Sequence, residues 1–170
     1  MKRTVLAAAI LAAAGLVIRS GSLAAQDSQE NFQTGLTGFQ EVPPILTGGK
    51  GVLNLELSSS SIAYSLTFSG LSSDALASHI HFGERGVNGA VIVFLCGGGG
   101  KPACPAGGGT VTGTITGADV LGVAAQGVTA GSFADLVRIL MSGDGYANVH
   151  TTNHPGGEIR GQISANTSGN

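Results

Sequence analysis

Glycine is scattered through this chain without a period, 29 of 170 residues. Each glycine inside a helix costs roughly 1 kcal/mol relative to alanine, so a chain punctuated this densely cannot sustain many long helices. Glycine is at ease in tight turns and where backbones approach closely. The composition therefore points to short strands joined by turns.

Between the glycines, apolar and polar residues alternate as they do on a pleated strand with one buried face. Phe32 to Val42 reads as a first strand, interrupted by Gly35 and Gly38 and ended by Pro43-Pro44, which cannot donate to a ladder. Gly51 to Leu57 follows, with Leu53, Leu55 and Leu57 on the buried face and Asn54 and Glu56 outside. After a four-serine turn, Ile62 to Ser69 returns with Ile62, Tyr64, Leu66 and Phe68 on one face, which makes a hairpin. Ala77 to Phe82 forms the next strand. Asn88-Gly89 then leads into Ala90 to Leu95, apolar on both faces and so either covered on both sides or an edge facing a partner. Gly109 to Thr116 is β-branched with strand parity, and Ala118 to Leu121 reads as a helical turn. Tyr146 to Thr151 and Glu158 to Ser164 close the chain around the turn Thr152 to Gly156.

One helix is expected, from Ser132 to Met141, where Phe133, Leu136, Val137 and Leu140 recur on one face. Ser132 is its N-cap, Asp135 the third residue, and Gly143 its stop. The fold class that follows is all-β: an antiparallel sandwich or barrel of about eight strands, with one short helix inserted before the last two.

The N-terminus has the form of a signal peptide over residues 1–24. Met1-Lys2-Arg3 supplies the basic start, Thr4 to Ile18 the apolar core, and Ser22-Leu23-Ala24 the small-residue cleavage pattern. That core of about 15 residues is short of the ~20 needed to span a bilayer. The mature chain is thus expected to be secreted or periplasmic, without a membrane span. It should comprise a disordered segment at 25–31, one domain at 32–164 and a disordered tail at 165–170. Losing Lys2, Arg3 and Arg19 moves the formal charge from −2 to −5, which leaves no basic stripe for nucleic acid. Cys96 and Cys104 are the only cysteines, and in an oxidising compartment such a pair reads as a disulfide. Closing so small a loop contributes roughly 2.5 kcal/mol; a metal pair is the rival reading.

Chemistry concentrates on the histidines. His79 and His81 share one face of their strand, opposite Ile80 and Phe82, and Tyr146, Asn148 and His150 share one face of theirs. If the strands are neighbours, His79, His81 and His150 can hold a d-block ion with bonds of about 2.0–2.1 Å, leaving a position open to solvent or to His154. An open, nitrogen-rich set favours copper, with zinc second. Asn148, Glu158 and Arg160 would then orient the imidazoles from outside. In the other role open to them, the histidines are polar-face residues hydrogen-bonded to Asn148, Glu158 and Tyr146. His154, on a Pro-Gly turn, reads as a surface residue or an additional ligand. A lone carboxylate gives no basis for acid–base catalysis, no serine or cysteine sits in a nucleophile elbow, and Gly97 to Gly100 lacks the ending of a phosphate cradle. An enzyme is not the expectation.

The segments Leu36 to Pro44, Ala77 to Gly89, and Gly145 to Gln162 with its Pro155-Gly156-Gly157-Glu158-Ile159-Arg160-Gly161-Gln162 ending resemble the chordin-type, or CHRD, domain family over roughly residues 34–164. That family takes its name from repeated modules in an extracellular morphogen antagonist. The cysteine-rich modules that hold growth factors there are absent from this sequence. The resemblance implies an exported binding or matrix-associated module without catalysis of its own, acting on an extracellular or envelope partner. A second resemblance is to copper/zinc superoxide dismutases, Greek-key sandwiches in which a His-x-His strand and a later Val-His supply copper ligands. His79, His81 and His150 match those positions. No histidine lies between His81 and His150, so the bridging and zinc ligands have no counterparts here. The alternative it implies is a copper-binding redox protein.

Overall fold

The computed structural model describes Met1 and residues 30–166. The expected signal peptide, most of the segment at 25–31 and residues 167–170 of the tail lie outside the described residues. Among the described residues, nine strands and one α-helix run in the order β1 (Asn31–Thr37), β2 (Lys50–Leu57), β3 (Ile62–Ser69), β4 (Ala75–Phe82), β5 (Ala90–Cys96), β6 (Gly109–Ile115), α1 (Phe133–Ser142), β7 (Gly145–Thr151), β8 (Ile159–Gln162) and β9 (Ser164–Ala165). Asn31 pairs with Glu56, and Ala165 with Phe32, so ordered structure reaches one residue beyond 32–164 at each end.

Eight strands form one antiparallel sheet in the order β5-β4-β7-β8-β1-β2-β3-β6, and β9 adds to β1. The connections from β3 to β4 and from β6 to β7 skip over intervening strands, so β7 returns beside β4 as in a Greek key. The sheet curls into a nearly closed barrel whose single seam lies between β5 and β6. Side chains and one loop hold that seam. Tyr64 donates its hydroxyl to Leu95 O at 2.7 Å, and Leu121 N donates to Ile92 O. Lys101 reaches Thr114 O on β6 and pairs with Asp119 at 2.7 Å. Cys96, at the end of β5, is bridged to Cys104, which removes the metal-pair reading.

The core follows the expected parity. Leu53, Leu55, Ile62, Tyr64, Leu66 and Phe68 are buried, with Ile80, Ala147, Val149 and Ile159 from the strands beside them. Strand β5 ends the hydrogen-bonded path yet is covered by its own chain. Ile92 and Leu95 lie in the core, and on the other face Phe94 packs edge-on against the His79 ring. In α1, Ser132 Oγ accepts from Asp135 N and Gly143 ends the helix at φ +79°. Its buried face is Leu136, Ile139 and Leu140, turned slightly from the expected stripe, with Phe133 and Val137 at the margin.

The first strand needs correction. It does not run on to Val42; it stops at Thr37 and gives way to a single 3-10 turn at Gly38–Gln40. Gly38 O accepts from both Glu41 N and Ile45 N, and Gly38 packs so closely on Ile45 O and Thr47 that no side chain fits. The fold-back turns Glu41 into the protein.

Candidate metal centre

Strands β4, β7 and β8 lie side by side, with His79 opposite Asn148 and Asn148 opposite Arg160, while His81 faces Tyr146 and Tyr146 faces Gln162. Ala77 is the register partner of His150. Parity does the rest. Ser78, Ile80, Ala147 and Val149 point to the core, so His79, His81, Tyr146, Asn148 and His150 gather on the opposite face. That face is not left to solvent: His79 is 9% and His81 7% exposed. Donor nitrogens of His79, His81 and His150 lie within 4.8 Å of one another, and among the described residues no other cluster of three such groups has this geometry. A counterpart of the dismutase zinc site is therefore missing from the described residues.

The hydrogen bonds orient each ring. His81 donates from Nδ1 to Gly89 O at 3.0 Å, and His150 from Nδ1 to Pro155 O at 2.9 Å. A carbonyl only accepts, so these bonds fix the proton on Nδ1 and leave Nε2 bare. The Nε2 atoms of both rings lie 3.0 Å from Asn148 Oδ1, and His150 Nε2 is 3.1 Å from His79 Nδ1. Burial lowers the pKa of all three rings. For His79 it reaches about 3, burial acting first and the charges of His150 and His81 adding to it. Neutral imidazoles are the form a metal requires.

Aromatic packing braces the cluster. Tyr146 stacks on His81 with centroids 4.6 Å apart and planes 8° from parallel, and the Arg160 guanidinium lies 3.5 Å over the other side of the Tyr146 ring. Arg160 makes no bond to an imidazole. It donates instead to Asn88 Oδ1, Glu84 O and Val87 O, which fastens the loop carrying Gly89. Its influence on His81 is thus indirect, through that loop and through Tyr146.

Glu158 is not among the imidazoles. It precedes β8 with its side chain on the far side from the cluster, where it accepts from Thr47 Oγ1, Ser72 N, Ser72 Oγ and Thr151 Oγ1 at 2.6 to 2.8 Å. Burial acts to raise its pKa, but these four bonds hold it below the ordinary value. Alternation carried past the start of β8 misplaced it. His154 is outside the cluster too. Its N donates to Thr151 Oγ1 and its O accepts from Thr151 N and Gly157 N, which pins it in the turn rather than over the metal face. Asn148 is the one expected orienting residue that contacts the rings.

Sequence reasoning missed the two carbonyls, Phe94 and Glu41. Backbone oxygens carry no side-chain signal. Glu41 is 6% exposed, its Oε1 has no hydrogen-bond partner, and burial, opposed by the charge of Arg160, raises its pKa to about 7. It lies against Gly157 (φ +125°), where an added Cβ would collide with Glu41 Oε1 and stand 2.9 Å from Asn148 Nδ2. The one hint was a carboxylate inside the Leu36 to Pro44 segment.

Among the described residues, no helix is long and apolar enough to cross a membrane. No curated protein and no solved structure matches the chain. The model of the CHRD domain matches residues 32–163, a span that contains the strands of the barrel path except for Asn31 at the start of β1, and every residue of the histidine face. The chain belongs to the CHRD domain family.

Proposed function

We propose that this CHRD-domain chain is an extracytoplasmic binding module that holds a divalent d-block ion, copper(II) before zinc(II), on His79, His81 and His150. Family membership supports a module that binds rather than catalyses. The leader-like N-terminus and the Cys96–Cys104 bridge support its place outside the cytoplasm. One observation carries the metal reading: Gly89 O and Pro155 O take up the Nδ1 protons of His81 and His150 and so aim two bare Nε2 atoms at the region His79 Nδ1 also faces. Protein built merely to hydrogen-bond these rings to one another would need a proton at each contact, where this arrangement leaves at most one.

The test is direct. Chelator-stripped protein titrated with Cu(II) should bind stoichiometrically, develop a d–d absorption and melt at a higher temperature, by mass action on the folded state. His79→Ala and His150→Ala should each abolish the band. An unaltered spectrum in the wild-type protein removes the reading.

A further inference from the structure

The three imidazoles are not the whole donor set: we infer that Asn148 Oδ1 is a fourth ligand, making a three-nitrogen, one-oxygen centre suited to copper(II). This rests on the three-histidine reading and extends it. The count of protons decides the matter. With His81 and His150 each donating from Nδ1 to a backbone carbonyl, each neutral ring presents a lone pair at Nε2, and both lone pairs meet Asn148 Oδ1 at 3.0 Å. That oxygen has nothing to donate. A proton on His79 Nδ1 can bridge the 3.1 Å to His150 Nε2, yet none stands between His81 Nε2 and Asn148 Oδ1. Four lone-pair atoms converge with at most one hydrogen among them. A cation at their centre turns that repulsion into attraction.

A half-turn of the amide would aim Nδ2 at the rings instead, but the other end of the side chain opposes it. Asn148 Nδ2 and Glu41 Oε1 close on the same spot beside Gly157, and Glu41 Oε1 is buried without a partner. As placed, an amide N–H lies on the side of a carboxylate oxygen. Reversed, the amide would turn an oxygen toward the carboxylate oxygen. Glu41 is therefore a positioning residue that keeps Oδ1 turned toward the imidazoles.

Bonds of ~2.0 Å put neighbouring donors about 2.8 Å apart at a right angle and about 3.3 Å apart at a tetrahedral one. The separations here, 3.0, 3.0 and 3.1 Å, fall between the two, so the donor set, nitrogen and oxygen without sulfur, is what favours copper(II).

Competition titrations with Cu(II) at about pH 8, where an unperturbed imidazole is neutral, test this on the wild-type protein, Asn148→Leu and Asn148→Asp. Loss of the oxygen in Asn148→Leu should weaken binding by about tenfold or more, while electron paramagnetic resonance still shows coupling to three nitrogens. Asn148→Asp, which keeps an oxygen and adds charge, should bind at least as tightly as wild type; if the leucine variant fails to fold, weaker binding by the aspartate variant overturns the inference. Asn148→Leu binding as tightly as wild type, or more tightly, overturns it too, since an amide that only donated to Nε2 would free those lone pairs when removed. Wild-type protein that binds no copper sinks the three-histidine reading itself, a result distinct from either.

Discussion

Glu41 holds a carboxyl group where a charge is costly. Its folded pKa, about 7, lies above the ordinary value of 4.5 because burial outweighs the attraction of Arg160. The sign follows from proton linkage: between those two values the folded chain holds a proton that the unfolded chain has released, so stability falls as pH rises through this window. Glu41→Gln removes the ionisation. It should melt above wild type at about pH 8 and lose that advantage near pH 4 to 5, measured by thermal unfolding across pH. A gain independent of pH would mean that the carboxyl group does not titrate in that window. The position also shows the reach of sequence reasoning at this scale. Parity put His79 with His81, and Asn148 with His150, on one face of their own strands from the sequence alone, because period-two alternation is a local property of a strand. Glu41 owes its burial to a turn at Gly38 whose fold-back depends on Ile45 and Thr47, contacts that no local pattern encodes.

At the scale of elements, strands were legible wherever one face is buried and the other wet. Lys50–Leu57 and Ile62–Ser69 fall where their leucines and aromatics alternate, and α1 falls between Ser132 and Gly143 because both of its ends are marked by capping residues. The apolar run at Ala90–Cys96 was ambiguous since burial on both faces erases alternation. Only the tertiary structure shows that it ends the hydrogen-bonded path, with its Phe94 packed on His79 on one side and the strand closed against β6 by Tyr64, Lys101 and the disulfide loop. Cys96→Ser should lower unfolding stability by roughly 2.5 kcal/mol, read from thermal or denaturant melts. Copper binding should be unchanged, because the bridge fastens the seam and contacts no imidazole. A variant that also lost the metal would show that the seam, and not β4 and β7 alone, shapes the site.

Across the whole molecule, Glu158 ties three distant parts of the chain together through Thr47, Ser72 and Thr151. Its pKa is lowered in the folded state, so its contribution is complete above the ordinary carboxylate range and is lost as pH falls through the depressed folded value. Acid titration of the melting temperature should therefore show a steep decline below about pH 4. Glu158→Gln should flatten that decline while lowering stability at neutral pH, where breaking charge-assisted bonds costs on the order of 1.5–3 kcal/mol.

The pairing of β4 with β7 has a consequence in time. His79 and His150 are 71 positions apart, and the strand between them in the finished sheet order is none, so nothing short of the late return of β7 unites them. A chain threaded across a membrane as an open polymer would carry its imidazoles through separately, with nowhere for an ion to be gripped along the way. For a metal held as proposed, loading would wait for the last quarter of the polypeptide to arrive, and its selection would fall to the compartment where folding finishes rather than the one where synthesis begins.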